Sequence, residues 1–366
     1  MAAGSDLGGR MRRLKDAIRK EGLQGAVLVP GPNLKYLTGV DSLMLERPFM
    51  LLFPAEGVPH LVAPKLEAGP YGEARLRMRV LAWTDSEGPG AAVKEAAAGA
   101  GLEGEWGVEG RAPYQYISKL MEESSPKFRS AEPILQAMRE IKDQAEVALL
   151  KKSADILSRA FEEFPGHINE GQTEQELARR MTEVIYAKGA TKVDDMLVQA
   201  GPAAADPHHL PSKKKLARGE SVLVDVGATY GGYYADITRT FCLGRSKELE
   251  RVYDRVLEAQ ESAIGAAVEG ASVGRVDSAA RRVLAKAGLG GYFFHRTGHG
   301  LGLEIHEAPY IVEGGKEKLR QGMCFTVEPG AYIMGKFGVR IEDDVLIRGR
   351  RGVPITDAPK QYGWWR

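Results

Sequence analysis

The sequence predicts an α/β protein of two domains, a smaller one followed by a larger one whose layout runs twice. Three observations predict it. Apolar runs of strand length alternate with helical patterns along most of the chain. The order helix, helix, hairpin occurs twice between residues 142 and 347, which implies a cleft at a pseudo-twofold axis. And 366 residues are too many for one ordinary core.

Met11, Leu14 and Ile18, closed by Gly22, give a first amphipathic helix, and GAVLVPG then reads as a strand. NLKYLTG is a short element leading to a loop. PFMLLFP and GVPHLVAP, separated by AEG, form a hairpin. RVLAWTD, a helical AAVKEAAAGAG and a WGVEG strand complete a small α/β domain over residues 1–128. The polar, proline-bearing EESSPKFRS at 122–130 is the expected linker.

The second domain, 129–366, opens on a helix carrying Ile134, Leu135, Met138 and Ile141. A long helix follows over 142–164, its apolar side marked by Val147, Leu150, Ala154, Leu157 and Phe161. Thr173 and Glu176 have capping-box spacing for a helix over 174–188. Strands at 193–200 and 221–226 come next, then helices near 248–269 and 275–287.

Two hairpins carry acids where strands ordinarily hold Val or Ile. Asp225 and Asp236 are equidistant from a turn centred between Tyr230 and Gly231, which would set them opposite one another. Glu328 and Glu342 are equidistant from Gly335, and Pro329 should end the strand at Glu328. Opposed carboxylates repel; a cation between them reverses the sign. Three histidines, His295, His299 and His306, lie on the chain between these pairs. Four carboxylates and an imidazole suit divalent cations, and they can hold two ions about 3.5–4 Å apart that activate a bridging water.

HRTGHGLG at 295–302, EIHEAP at 304–309, DVG at 225–227, DITR at 236–239, EPG at 328–330 and RIED at 340–343 together resemble the Xaa-Pro dipeptidases (prolidases) and aminopeptidases P. The resemblance covers nearly the whole chain. It implies a pita-bread catalytic domain behind a creatinase-like N-terminal α/β domain. It also implies two divalent ions per subunit on Asp225, Asp236, His299, Glu328 and Glu342, with Asp236 and Glu342 bridging them. His208, His295 and His306 match family histidines at the mouth or on the substrate side, Arg340 an arginine beside the last ligand, and Tyr332 is placed nearby. Glu328 is the preferred proton shuttle. The implied substrate is a small peptide with proline after the scissile bond. A dipeptidase is the first reading and an aminopeptidase P acting on longer peptides the alternative, decided by whether a cation caps the cleft at two residues; an inert binding protein on the same fold is the reading from another class. Mn, Co, Zn and Fe stay open as the metal, and a homodimer is expected.

Lys+Arg at 50 against Asp+Glu at 49 gives a net charge of +1, which predicts no attraction to nucleic acid or anionic membrane. Neither GAGLEG nor GLGGYF completes a phosphate-binding motif. No apolar run is long enough to span a bilayer and no signal segment is evident, so a cytoplasmic location is the default. Cys242 and Cys324 read as buried and reduced, His60, His167 and His209 as structural or outward-facing, and Asp343 and Asp344 as supporting or surface acids. Only two asparagines occur, which suits a thermophilic source or a GC-rich genome.

Overall fold

The apolar runs of the N-terminal part converge on one six-stranded sheet in the computed structural model, which describes residues 6–73 and 76–365. In chain order these elements are α1 (Leu7–Lys20), β1 (Gly25–Leu28), α2 (Pro32–Thr38), β2 (Met50–Pro54), β3 (His60–Pro64), α3 (Lys65–Glu73), β4 (Arg79–Trp83), α4 (Gly90–Ala100), β5 (Glu105–Val108), α5 (Tyr114–Glu123), β6 (Lys127–Ser130) and α6 (Glu132–Glu140). The sheet order is β4-β3-β2-β1-β5-β6, and β2 and β3 are the antiparallel hairpin their spacing predicts. Val27, Leu52, Val62 and Trp106 form its core with Val93 and Ala96 of α4.

The stretch 122–130, expected as a linker, does another job: it closes α5 and supplies β6, parallel to β5. Phe128 packs on the core, which is why this polar sequence docks as a strand. By contacts the chain divides between Arg139 and Glu140.

The second unit contains α7 (Gln144–Glu163), α8 (Glu174–Ala187), β7 (Lys192–Ala200), β8 (Ser221–Tyr230), β9 (Tyr233–Cys242), α9 (Lys247–Ala266), α10 (Val273–Lys286), β10 (Gly298–Gly300), β11 (Glu307–Ile311), β12 (Cys324–Val327), β13 (Gly330–Ile333), β14 (Phe337–Arg340), β15 (Asp343–Arg348) and β16 (Arg351–Pro354). Both capping boxes form, Thr173 with Glu176 as the spacing predicts and Asp143 with Glu146 in front of α7. Ala154, Leu157 and Phe161 of α7 are fully buried with Leu177 and Met181 of α8 against Val224, Val226 and Ile237 of the β7-β8-β9 sheet, and Leu150 is buried as well. In the other half Val252 and Val256 of α9 and Val276 and Ala280 of α10 pack with Phe325, Val327 and Val345. There the sheet order is β11-β10-β12-β15-β16. Two helices over a sheet, twice, is the architecture that the double layout predicts. Cys242 and Cys324 are both buried.

The first hairpin differs from expectation by one step in register. Tyr230 pairs with Tyr233, so the turn is Gly231-Gly232; Asp225 faces Thr238, and Asp236 faces Gly227. The cause is the turn itself. A two-residue hairpin loop of this hand needs positive φ at both central positions, and Gly231 (φ 60°) and Gly232 (φ 85°) provide them where Tyr230 would be strained. The two aspartates therefore share a face of the hairpin as diagonal neighbours and are not directly opposed.

The second hairpin keeps the expected register about Gly335, but in two pieces. β13 pairs with β14 from Gly330↔Arg340 and β12 with β15 from Val327↔Asp343. Glu328 and Glu342 sit symmetrically in the gap between them. Pro329 cannot donate there, and the Glu328 and Glu342 N–H groups donate to Thr297 and Thr238 carbonyls at 2.8 and 3.1 Å. Replacing Gly232 by Ala should lower unfolding stability by about 1–2 kcal/mol, read from the denaturant midpoint; an unchanged midpoint would show that the turn does not set the register.

Candidate metal centre

The strand ends and the interrupted hairpin aim their acids at one place. Asp236 leaves β9, Glu342 leaves the gap before β15, and His299 is the middle residue of β10. Ligand atoms of these three lie within 4.8 Å of one another, and all three residues are buried. Glu328 Oε1 is 3.3 Å from His299 Nε2. Asp225 lines the same cavity but is drawn to one side, where Arg340 donates to its Oδ2. Of the other residues singled out in the sequence, His208, His295, His306 and Arg340 also line this cavity, whose volume is about 670 Å³. That is the size of a small-ligand pocket.

β10 approaches its neighbours closely, and the glycines flanking His299 make this possible. A Cβ on Gly298 would lie 1.9 Å from the Thr326 carbonyl oxygen, and one on Gly300 2.1 Å from that of Ala308. His299 Nδ1 is 3.2 Å from the Gly300 carbonyl, so it carries the proton and Nε2 presents a lone pair to Asp236 and Glu328. A carbonyl behind one nitrogen and an open lone pair on the other is how a metal-binding imidazole is held.

The carboxylates of Glu342, Glu328 and Asp344 each receive a donor, and that of Asp236 receives none among the described residues. Thr238 Oγ1 donates to Glu342 Oε2 at 2.5 Å, Thr326 Oγ1 to Glu328 Oε1 at 3.1 Å, and the Asp236 N–H to Asp344 Oδ2 at 3.0 Å. Asp236 Oδ1, Glu342 Oε1 and Asp344 Oδ1 are buried without a hydrogen-bond partner. Burial, then the neighbouring carboxylates, push Asp236 and Glu342 well above the usual carboxylate range. Two such charges 4 Å apart repel by about 4 kcal/mol at an effective dielectric of 20. Burial works against the charge of Glu328 too, but the His299 ring, then His295 and Arg340, bring it down to about 2. A cation in the centre would favour the charged form of every acid at once. Orphaned oxygens, an open lone pair and excess negative charge all fit divalent ions; Asp236, His299 and Glu342 would hold them, with Glu328 and Asp225 beside.

Arg340 organises the opposite wall. It donates to Asp225, to Tyr332 Oη at 2.8 Å and to Thr238 Oγ1 at 3.1 Å. Tyr332 Oη in turn meets His295 Nε2 at 2.8 Å, while His295 Nδ1 faces the Arg296 carbonyl at 2.7 Å. Only a protonated Nδ1 can face a carbonyl, so Nε2 accepts from the tyrosine. Burial holds this imidazole below its usual pKa and pushes Tyr332 up to about 12. Both nitrogens of His295 are thus engaged, and it meets the cavity with its ring. His306 stacks edge-to-face on His299 at 4.1 Å between centroids, and among the described residues neither its ring nor that of His208 has a hydrogen-bond partner. These two imidazoles are free to donate into the cavity.

Several participants left no mark in the sequence reading. Thr238 and Thr326 are such residues, and each serves an acid two positions or one strand away; the alternation that puts a threonine on the acid's face was the available signal. Asp343 is buried, bound by Arg239 at 2.7 Å, Gln260 at 2.7 Å and Lys360 at 2.8 Å. His209 is not outward-facing: its ring nitrogen lies 3.1 Å from buried Glu174. His60 and His167 are outside the cavity.

Comparison with known proteins adds a second line of support. Residues 148–349 match metallopeptidase family M24, and residues 10–141 the creatinase/prolidase N-terminal domain. The chain is 37% identical over 345 residues to the probable dipeptidase PepE of Mycobacterium tuberculosis, spanning 93% of this chain and 92% of that protein. It is 39% identical over 258 residues to the Xaa-Pro dipeptidase of Pyrococcus furiosus, spanning 70% and 74%. The crystal structure of prolidase from Thermococcus sibiricus superposes with a TM-score of 0.93 at 38% identity, covering 98% of this chain and 99% of that one.

The raised carboxyls fix the sign of a pH effect. Stripped of ions by a chelator, the folded chain keeps protons on Asp236 and Glu342 that the unfolded chain releases above about pH 4, so they make unfolding easier as pH rises. Between about pH 5 and 8 the stripped protein should lose melting temperature more steeply than its Asp236→Asn variant. Parallel profiles in a chelator-containing scan would contradict the assignment.

Proposed function

This chain belongs to metallopeptidase family M24, and on that footing we propose that it hydrolyses Xaa-Pro dipeptides with the help of two divalent ions. The observation behind this reading is the buried Asp236, His299 and Glu342 group with its orphaned oxygens, set in a cavity of dipeptide size. Bound divalent ions supply Lewis acidity and lower the pKa of water. Manganese, cobalt and zinc all suit a centre of carboxylates with one imidazole.

The protein's own groups then divide the work. Glu328 Oε1 is tied to Thr326, which leaves Oε2 to take a proton from the attacking water and pass it to the leaving proline nitrogen. His306 and His208, with unengaged rings, donate to the carbonyl oxygen as it gains charge. Leu197, Leu210, Phe294 and Ile305 give the cavity apolar walls that exclude water and fit the pyrrolidine ring. His295, Tyr332 and Arg340 keep Asp225 in place through their chain of hydrogen bonds.

Arg296 favours the dipeptide over a longer substrate. Its guanidinium lies over the Tyr310 ring at 4.6 Å, lines the cavity, and has no carboxylate partner among the described residues. Arg340, the cavity's other guanidinium, is fully engaged. Arg296 is therefore the cation free to receive a substrate carboxylate, and it would cap the cleft at two residues. The active form is taken to be a homodimer, the commonest closed assembly.

The metal-loaded protein should cleave Ala-Pro and discriminate against Ala-Pro amide and Ala-Pro-Ala. Arg296→Leu should raise KM for Ala-Pro about tenfold or more and erase that discrimination. Efficient cleavage of Ala-Pro-Ala would make it an aminopeptidase, and cleavage of neither peptide would end the proposal. Glu328→Gln should lower kcat by about a hundredfold or more; wild-type turnover would remove Glu328 from proton transfer.

A further inference from the structure

One fully buried acid stands apart from the metal centre. Glu174 is the first residue of α8, its side chain is 0% exposed, and every donor its carboxylate receives comes from the segment that forms one wall of the cavity. Oε1 accepts from the Ala200 N–H at 2.8 Å. Oε2 accepts from the Ser212 N–H at 2.9 Å, from Ser212 Oγ at 2.7 Å and from the His209 ring at 3.1 Å. Ala200 is where the segment leaves β7, and His209 and Ser212 are where it ends. A single carboxylate thus ties both ends of the excursion.

Between those ties lie Asp206, Pro207, His208 and Leu210, all of which line the cavity. A second pin acts from inside. Gln199 is 0% exposed, and its Nε2 donates to the carbonyls of Pro207 and His209 at 3.1 and 3.0 Å. Residues 201–205 are held by packing, with Ala204 and Ala205 buried, but beyond them the wall has little apolar to hold it: His208 and Leu210 are exposed, and Leu210 is 71% so. Its conformation is therefore set from beneath, by two buried polar side chains. A buried carboxylate taking four donors is a stiff anchor, because each donor abandoned leaves a charge without its partner in a dry site.

We propose that Glu174 is a positioning residue for catalysis: it fixes the 206–212 wall so that His208 and Leu210 meet the substrate, and so sets kcat/KM from outside the cavity. This rests on the peptidase reading above for its kinetic consequences and on geometry alone for its structural ones. The acids that would hold the ions come from other strands, so loss of the anchor should leave metal retention in place and weaken what His208 and Leu210 do for the substrate, at the reacting carbonyl as well as in binding.

The test is Glu174→Gln in the full-length, metal-loaded protein, which replaces an acceptor oxygen by a donor. Amide hydrogen exchange should speed up across 200–212 by about tenfold or more and stay unchanged on β12 and β15. kcat/KM for Ala-Pro should fall about tenfold or more with metal retention unchanged. In a His208→Ala background the same substitution should cost much less, since the residue it positions is gone. Unchanged exchange in 200–212, or an equal cost with and without His208, would overturn the proposal. Should Glu174→Gln fail to accumulate as folded protein, His209→Ala/Ser212→Ala removes two of the anchored groups while keeping the carboxylate, and must give the same direction in both readouts. If the wild type cleaves no Xaa-Pro peptide, the functional reading falls, and the exchange measurement still decides whether Glu174 anchors the wall.

Discussion

Negative charge gathered in a dry junction, with too little positive charge beside it, is the constraint on which the rest of this structure depends. Asp225, Asp236, Glu328 and Glu342 line one cavity with Asp344 behind them, and Arg340 is the guanidinium that faces them directly. Ordinary packing would not tolerate this. Desolvation alone pushes Asp236, Glu342 and Asp344 toward the neutral form, and their mutual repulsion pushes further.

The fold answers with half of a solution. Each half contributes acids from the strands nearest the other: Asp236 from β9, Glu328 and Glu342 from the break in the second hairpin. Glu342 and Glu328 each receive a threonine hydroxyl, Asp225 the Arg340 guanidinium and Asp344 the Asp236 N–H. Asp236 Oδ1, Glu342 Oε1 and Asp344 Oδ1 are buried with no hydrogen-bond partner among the described residues, a set of open oxygens that fits divalent ions. The remaining features serve that geometry. Pro329 ends a ladder, the glycines around His299 bring β10 close, and the Arg239–Asp343 pair, at 0% and 2% side-chain exposure, braces the strand behind Glu342.

Much of this was legible in the sequence because it is written in periodicity and in spacing. The helices of the second unit, the β2/β3 hairpin and the symmetric placing of Glu328 and Glu342 about Gly335 all follow from local rules. What was misread turned on competition between those rules. The distance between Asp225 and Asp236 suggested direct opposition, but a Gly-Gly turn needs positive φ at both positions and moved the register by one step. EESSPKFRS has linker composition, yet one apolar residue, Phe128, and an open sheet edge suffice to make it a strand. Glu174 and His209 carry no signal at all in one dimension. They are 35 residues apart, and only the folded chain shows that a buried acid at a helix start is the anchor of a loop beyond the next strand.

Divalent ions are what this junction needs to be complete. The most direct measurement is the metal content of protein reconstituted with manganese, cobalt or zinc and freed of unbound ions by gel filtration, read by plasma mass spectrometry beside the Asp236→Asn variant. Two ions should be retained per chain in the wild type and fewer in the variant. Retention of no divalent ion by a folded wild-type protein would contradict it.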